Sequence, residues 1–343
     1  MTPAHSRFPA KSRWLALVVI AVLVLGFVAI YAVQAYGRYQ ARTTGASAAA
    51  ITGQLAAADR IIFRNTALGE GYGQVASVAL AEPSGPRQLS QQACDRVDAT
   101  STYLSCLRTK RGIPTTFHAT VFNAQQHPVE QHPLSGVPSR TRITDGGLVA
   151  TTAFVTGHSY AAGQFSTETT IRSVGGPDYG NLEDFSMDIQ GKPLTAVDRN
   201  VWGVSFLSEK EFYATVASGN QTWLAKGDLD SRSLVSVASN AECPSVSPEG
   251  SKVAYKKRRA QPGLAHWDIA VLDLETRKET VIGLELGFDD QLEWLDEGTL
   301  LFGMPRAGAP GDSDVFSIEA QANATAQLFI EHAWSPSVVR AAQ

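Results

Sequence analysis

The 343-residue chain has little cysteine and no clustered metal ligands. Its three cysteines are too few for a small domain built on disulfides. The seven histidines are scattered and share no paired spacing with the cysteines, which excludes the common zinc motifs. The sequence also has no D-x-D-x-D-G calcium loop. We therefore predict no metal site and no cofactor.

The chain also lacks the motifs of several enzyme classes and the charge of a nucleic-acid-binding protein. It has no G-x-S-x-G nucleophile elbow, no G-x-x-x-x-G-K-[ST] phosphate loop and no G-x-G-x-x-G that opens a helix. The formal net charge of −4 argues against a nucleic-acid footprint. We therefore predict a protein that is not an enzyme and does not bind nucleic acid.

Charge is absent from the segment Trp14–Val33, and no acidic residue precedes Asp59. Twenty uncharged residues, at ~1.5 Å per residue in a helix, span the ~30 Å hydrocarbon core of a bilayer. Trp14, Tyr31 and Tyr36 fit the aromatic belts at the two membrane interfaces. We predict a tail over residues 1–13, a membrane-spanning helix over 14–36 and a linker over 37–58.

The flanking charges favour a cytoplasmic N-terminus and an exported body. Arg7, Lys11 and Arg13 precede the apolar segment, whereas Arg38 and Arg42 follow it. An alternative is a cleaved signal peptide, because the small residues 46–48 are suitable for a signal peptidase.

The clearest pattern in the exported body runs from Cys243 to Ile282. A turn at Ser247–Gly250 is followed by the strand Lys252–Tyr255, a polar loop and the strand Trp267–Leu274. A last strand follows at Thr280–Ile282. With its lead-in, this makes four antiparallel strands in about forty residues, the size of one β-propeller blade.

The pattern recurs along the chain. Cys94–Arg111 aligns without a gap on Cys243–Ala260, and weaker copies carry turns before the strands that begin at Leu148, Phe212 and Leu300. Six units emerge. The fourth strands are predicted at Leu89, Leu134, Leu194, Leu234–Val235, Val281–Ile282 and Leu328–Phe329. We therefore predict an all-β, six-bladed β-propeller over residues 59–343.

Ring closure should use both ends of this region. Arg60–Phe63 resembles the second strand of a blade that lacks a first strand, while Ser335–Val338 resembles Cys243–Val246. A propeller must join its last blade to its first or leave an open edge. The C-terminal strand is therefore predicted to become the inner strand of the first blade.

Ser247–Gly250, Val253–Tyr255 and Asp268–Leu274 resemble the repeat of TolB-type six-bladed β-propellers. The resemblance covers roughly Asp59 to Val339 and implies the propeller fold and the binding of other macromolecules. The chain has no room for the α/β domain that precedes the propeller in TolB, and it keeps a membrane helix, so TolB's own partners do not transfer.

Three further segments are similar to membrane-anchored TolB-like proteins of the actinobacterial type. These segments are Val201–Phe206, Asp289–Leu295 and Ala333–Pro336.

Two places are candidate binding sites. The polar stretch 156–181 is predicted to be a long loop inserted in the third blade, and its His158, Tyr160 and Phe165 are candidate ligand contacts, although a plain surface loop explains them too. Asp289 and Asp290 precede the predicted inner strand of blade six, near the mouth of the central channel. Paired carboxylates there could hold Ca²⁺, cap the strand or form a solvated turn.

Two other features have both a functional and a structural interpretation. The basic run Lys256–Arg259 is suited to anionic lipid, but the default is a solvated loop tip. Cys94 and Cys106 fall on the first two strands of one blade, so they can form a disulfide in an oxidising compartment. Cys243 has no partner and is expected to be a buried thiol.

The sequence thus predicts a single-pass membrane protein whose extracytoplasmic propeller binds or scaffolds an envelope protein. Two alternatives stay open. One is a hydrolase or lyase with a site at the channel mouth, and the other is a sensor or carrier of a small ligand.

Overall fold

The computed structural model describes residues 10–43, 46–53, 59–155, 166–259, 267–284 and 287–341. Helix α1 (Ala10–Thr43) contains the apolar span Trp14–Gln40. Its 27 residues extend for about 40 Å, more than the ~30 Å hydrocarbon core. The helix is therefore long and apolar enough to cross a membrane, although a signal sequence near an N-terminus meets the same criterion.

The segment predicted as a linker is partly regular structure. Residues 37–43 continue α1 as helix, and Ile51–Thr52 forms strand β1. β1 pairs in parallel with Arg87 and Gln88 of the first blade. Residues 51–52 therefore belong to the β-sheet unit, and the prediction placed its start eight residues too late.

One compact unit, made of Ala49–Ala67 and the chain from Gly73 onward, contains all the strands of the described residues. These strands form six sheets. Blade 1 is made of β1 (Ile51–Thr52), β2 (Arg60–Asn65), β3 (Gln74–Ala79), β4 (Arg87–Ala93) and the last strand, β27 (Ala333–Val339). Blade 2 is made of β5 (Arg96–Ala99), β6 (Tyr103–Lys110), β7 (Thr116–Asn123) and β8 (Pro128–Pro133). Blade 3 is made of β9 (Val137–Ile143), β10 (Leu148–Val155), β11 (Ser166–Ser173) and β12 (Asp178–Asn181).

The remaining three blades follow in chain order. A 3₁₀ turn (Leu182–Asp184) leads into blade 4, made of β13 (Ser186–Ile189), β14 (Lys192–Pro193), β15 (Asn200–Phe206), β16 (Glu211–Ser218), β17 (Gln221–Asp228) and β18 (Ser233–Ser239). Blade 5 is made of β19 (Glu242–Val246), β20 (Lys252–Arg258), β21 (Trp267–Asp273) and β22 (Glu279–Ile282). Blade 6 is made of β23 (Glu293–Trp294), β24 (Thr299–Pro305), β25 (Ser313–Glu319) and β26 (Gln327–Ile330).

The inner strands β5, β9, β15, β19, β23 and β27 contact one another in that order, and β27 returns to β5. The predicted six-bladed β-propeller is therefore confirmed. Its apolar core lies between adjacent blades, where alternate side chains of each sheet are buried. In blade 6, for example, the Phe302 ring lies 5.0 Å from that of Phe288 and 6.4 Å from that of Phe316.

The chain ends close the ring as predicted. β27 pairs antiparallel with β2, with Ile61 opposite Val338 and Ile62 opposite Ser337. Arg87 of β4 reinforces the closure, because its guanidinium donates to the carbonyls of Glu331 and His332 at 2.8 and 3.0 Å.

Three inner strands share a bulge, and the sequence similarity between Cys243–Val246 and Ser335–Val338 had marked two of them. Gly203, Cys243 and Ser335 have φ angles of 65°, 52° and 57° at register shifts in β15, β19 and β27. A Cβ on Gly203 would lie 2.8 Å from Cys243 Cα, so only glycine fits there. The shared motif therefore encodes the local bend of the inner strands.

The gapless alignment of blades 2 and 5 is correct for the second strand and wrong for the inner one. Leu104 pairs with Ala99, whereas its counterpart Val253 pairs with Val246. The connection 100–103 in blade 2 is two residues shorter than the connection 247–252 in blade 5. The inner strand of blade 2 therefore lies two residues later in sequence than the alignment places it. Cys94 consequently lies just before β5 and not on it.

Two predictions for blades 3 and 4 are also wrong. The stretch 156–181 is not irregular throughout, because β11 and β12 occupy residues 166–173 and 178–181. Leu194 does not lie in the fourth strand of blade 3, a position that β12 takes. Leu194 instead follows a short hairpin, β13–β14, which extends the outer edge of blade 4 through the parallel pairing of β13 with β18.

Deleting residues 333–343 should abolish cooperative unfolding, because it removes β27 and leaves β2 as an open edge. Deleting only residues 340–343 keeps β27 and serves as the matched control. Circular dichroism during thermal unfolding measures the effect. Equal unfolding temperatures for the two truncations would contradict the closure.

Candidate functional site

The predicted site residues fall into two groups. His158, Tyr160 and Phe165 lie outside the residues that the structure describes. Asp289 and Asp290 immediately precede the inner strand of blade 6, where side chains from four blades meet at one end of the central channel. We call this end the channel mouth.

Asp289 lies at the channel mouth between two cations. Its Oδ1 is 2.7 Å from Lys256 Nζ and 3.2 Å from Arg140 Nη2. The Asp289 side chain is 78% exposed, whereas those of Lys256 and Arg140 are 3% and 7% exposed. The surrounding protein acts to raise the pKa of Asp289, but the charges of Lys256 and Arg140 outweigh it and lower that pKa.

This arrangement differs from the calcium site considered for the two aspartates. A Ca²⁺ site needs several oxygen ligands, and here ammonium and guanidinium groups occupy the positions around Asp289. Within the described ranges, no group of three or more His, Cys, Asp and Glu side chains is placed to hold a metal.

Asp290 is fully buried and acts as a cap between blades. Its Oδ2 accepts hydrogen bonds from the backbone N–H of Ser335 at 2.9 Å and of Gly303 at 3.2 Å. A Cβ at Gly303 would lie 2.5 Å from this oxygen, so glycine is required. Arg96 approaches the other carboxylate oxygen at 3.4 Å and stacks over the Trp334 ring, 5.2 Å from its centroid.

A third ionic group lies deeper in the channel. Arg142 is 2.9 Å from Asp98 and 3.0 Å from Glu293, so one cation joins blades 2, 3 and 6. Asp98 also accepts from the N–H of Ile143 at 2.8 Å, and Glu293 accepts from that of Val338 at 2.9 Å. Buried carboxylates with this many partners fix the positions of the inner strands.

Two carboxylates that share one cation do not both ionise easily. Burial raises the pKa of Asp98, and burial together with the Asp98 charge raises the pKa of Glu293 to about 7, although Arg142 acts against both shifts. Burial also raises the pKa of Glu183, before blade 4, to about 7.

The basic run Lys256–Arg259 is not a solvated loop tip. Lys256–Arg258 ends strand β20, and each of the four side chains meets a carboxylate. Their partners are, in order, Asp289, Glu279, Glu242 and Asp268. The charges that looked like a patch for anionic lipid are therefore engaged within blades 5 and 6.

A groove of about 260 Å³ lies beside the mouth, between blades 4 and 5. Trp202, Glu242, Arg258 and Trp267 are among its lining residues. Lys256 Nζ lies over the Trp267 ring, 4.8 Å from its centroid, and the Arg258 guanidinium lies over the same ring at 5.3 Å. We call Trp202, Arg258 and Trp267 the mouth cluster.

The ring of six blades resembles a solved bacterial structure. TolB from Acinetobacter baumannii superposes with a TM-score of 0.55 over 84% of this chain and 68% of TolB, at 13% identity. The chain has the six-bladed propeller fold of TolB. A protein of unknown function from Bacteroides caccae matches 83% of this chain and all of its own length, with a TM-score of 0.47 and 10% identity.

At these identities the likeness concerns the fold alone. No family model matches the chain. No curated protein matches its sequence.

The TolB-like propeller carries one disulfide among its described residues. Cys94 and Cys106 are bonded, with their Cα atoms 5.4 Å apart, and the bond links the start of blade 2 to its second strand. Cys243 is a buried free thiol on β19. Disulfides form and persist mainly in oxidising compartments.

Sequence reasoning located the two aspartates but missed their partners. Arg96 and Arg140 lie on the inner strands of blades 2 and 3, 194 and 149 residues away in sequence. The available signal was charge within otherwise apolar strands, as in Arg96–Ala99, because an inner strand faces the channel.

The free energy of unfolding of the TolB-like propeller should fall as the pH rises from about 5 to 8. Glu293 and Glu183 have pKa values near 7 when folded and near 4.5 when unfolded. The folded state therefore keeps protons that the unfolded chain releases, and this stabilisation is lost as pH passes 7. Urea unfolding at several pH values measures the slope.

Glu293→Gln should flatten this pH dependence, and adding Glu183→Gln should flatten it further. Each substitution removes a group whose protonation differs between the folded and unfolded states. Such a group contributes up to a few kcal/mol to the pH-dependent part of the free energy of unfolding. Glu275→Gln, on an exposed turn, is the control. An unchanged slope in the double variant would disprove the assignment.

Proposed function

We propose that this protein is a membrane-anchored recognition module whose propeller binds an envelope protein at the channel mouth. The observation that carries the proposal is the mouth cluster, Trp202, Arg258 and Trp267, which lines an open groove on a rigid ring. Tryptophan and arginine are enriched at the energetic centres of protein interfaces.

The geometry of the mouth cluster favours tight binding of a protein. Trp267 is half-buried and held by two cations, so little side-chain freedom is lost when a partner covers it. Arg258 is 52% exposed and is oriented by Glu242 at 3.3 Å. Both side chains therefore present fixed apolar and charged surfaces to a partner.

The ionic groups of the channel support this role through rigidity. Arg96, Arg140 and Arg142 each pair with carboxylates from blade 6, and Lys256 does the same from blade 5. These contacts hold neighbouring blades in one arrangement and keep the mouth cluster in place. A partner then meets a surface that needs little reorganisation.

Anchoring by α1 completes the proposal. Confinement to the membrane surface raises the effective concentration of the propeller for a partner in the same membrane or next to it. The excess of cations before Trp14 favours a cytoplasmic N-terminus and an extracytoplasmic propeller. The propeller would then act as a scaffold of the cell envelope.

Trp267→Ala combined with Arg258→Ala should weaken capture of the partner by about tenfold or more, since truncating interface centres costs over 1 kcal/mol each. The full-length protein is crosslinked in its native membranes, and captured proteins are quantified by mass spectrometry against the double variant. Val281→Ala, on the outer strand of the same blade and 41% exposed, is the matched control.

Proteins that are lost with the double variant and kept with Val281→Ala support the proposal. The purified candidate must then bind the wild-type propeller and not the double variant. Equal capture by all three proteins would refute the mouth as the binding face.

Cells expressing the full-length protein should keep the propeller accessible from outside the cytoplasmic membrane. A membrane-impermeant reagent should label an engineered cysteine at exposed Glu275 but not one at Ser6, in the tail. Labelling of Ser6→Cys alone would reverse the proposed orientation, and a mature chain lacking residues 1–45 would indicate a cleaved signal.

A further inference from the structure

The hairpin that joins β6 to β7 projects from the mouth end of blade 2. Arg96, the first residue of β5, pairs with Leu107, so the last part of β6 extends beyond the inner strand. The strands β6 and β7 stay paired as far as Lys110 and Thr116, and residues 111–115 connect them. The tip of the hairpin therefore stands clear of the inner strand of its own blade.

The tip of this hairpin is apolar and exposed. Ile113 is 106% exposed, the highest value among the exposed large hydrophobic side chains of the described residues. Its neighbours Gly112 and Pro114 are exposed as well. A single exposed isoleucine needs no explanation on a protein surface. The charges beside Ile113 give it a different meaning.

Three cations lead into the tip without carboxylate partners. Arg108, Lys110 and Arg111 are exposed, and none of these side chains forms an ion pair or a hydrogen bond with another described residue. Asp95, at the base of the hairpin, instead accepts from the backbone N–H of Thr109 at 2.6 Å. We call residues 108–116 the basic hairpin. Its three cations are free to attract an anionic surface.

The corresponding charges of blade 5 are used inside the protein. The second strand of that blade carries Lys257 and Arg259 at equivalent positions, and they pair with Glu279 and Asp268. The cations of the basic hairpin have no such carboxylates among the described residues. They therefore lack that structural role, and their charge is left to solvent or to an external anion.

The chain that follows α1 keeps the basic hairpin within reach of a membrane. Residues 44–50 join Thr43, the end of α1, to Ile51 in β1 of blade 1, and this span covers at most about 30 Å. Blade 1 adjoins blade 2, because β2 and β27 both contact β5. A surface of blade 2 that binds lipid weakly on its own becomes effective, since the tether raises the local concentration of lipid.

We propose that the basic hairpin docks on anionic lipid headgroups of the membrane that α1 spans, an inference that rests on the anchor in the proposed function. Its cations would lie at the level of the lipid phosphates, while Ile113 would enter the boundary between headgroups and acyl chains. The apolar stems of lysine and arginine suit this position. Docking would turn the mouth end of blade 2 towards the lipid and favour a protein partner in the same membrane.

The test uses the full-length protein reconstituted in phosphatidylcholine vesicles, with or without phosphatidylglycerol. The Ile113→Cys variant is labelled from outside with an impermeant fluorophore, and quenching by nitroxide-labelled lipid reports contact with the membrane. Labelling is selective, because Cys94 and Cys106 are bonded and Cys243 is buried. Gln125→Cys, on the exposed turn at the other end of blade 2, is the matched control.

We expect quenching at position 113 in vesicles that contain phosphatidylglycerol, and little quenching at position 125. Adding Arg108→Gln, Lys110→Gln and Arg111→Gln should lower the ratio of docked to undocked propeller at least tenfold. Each basic residue near an anionic membrane contributes roughly fivefold to this ratio. Salt at about 0.5 M should act in the same direction, because it screens the charges.

Three results would overturn the proposal. The first is equal quenching at positions 113 and 125. The second is quenching at position 113 that persists unchanged without phosphatidylglycerol or without the three cations, since charge would then play no part. The third is no quenching at position 113 in protein that the vesicles retain. Protein that the vesicles do not retain would refute the anchor itself, and the docking with it.

Discussion

The pairing of β2 with β27 is the constraint on which the rest of the molecule depends. It joins residues about 270 positions apart, Ile62 and Ser337 among them, and turns a row of sheets into a ring. Only in a closed ring can Arg142 of blade 3 reach Asp98 of blade 2 and Glu293 of blade 6. The ionic contacts of the channel mouth that join blade 6 to blades 2 and 3 are therefore consequences of closure.

Much of the fold could be predicted because its signals are local. Turn residues at Ser247–Gly250 and alternating strands around Val253 identified one blade, and repetition identified the others. The motif shared by Cys243 and Ser335 predicted the closing strand because it encodes the same left-handed bulge. The β13–β14 hairpin escaped prediction, since it is short and follows no repeat.

The candidate site was only partly predictable, because long-range contacts assemble it. Two adjacent aspartates marked the channel mouth, but sequence could not show that Asp289 meets Lys256 and Arg140. The basic run was misread for the same reason, since each of its cations finds a carboxylate from another strand or loop. The order of charged residues along a chain does not show which opposite charges they meet in the folded protein.

The most direct test of recognition at the mouth is site-specific photocrosslinking of the anchored protein in its native membrane. A photoreactive residue replaces Trp267 in one variant and Glu275, at the opposite end of blade 5, in the other. Recognition at the channel mouth predicts a discrete crosslinked protein from position 267 and none from position 275. The same protein captured equally from both positions, or captured only from position 275, would contradict it.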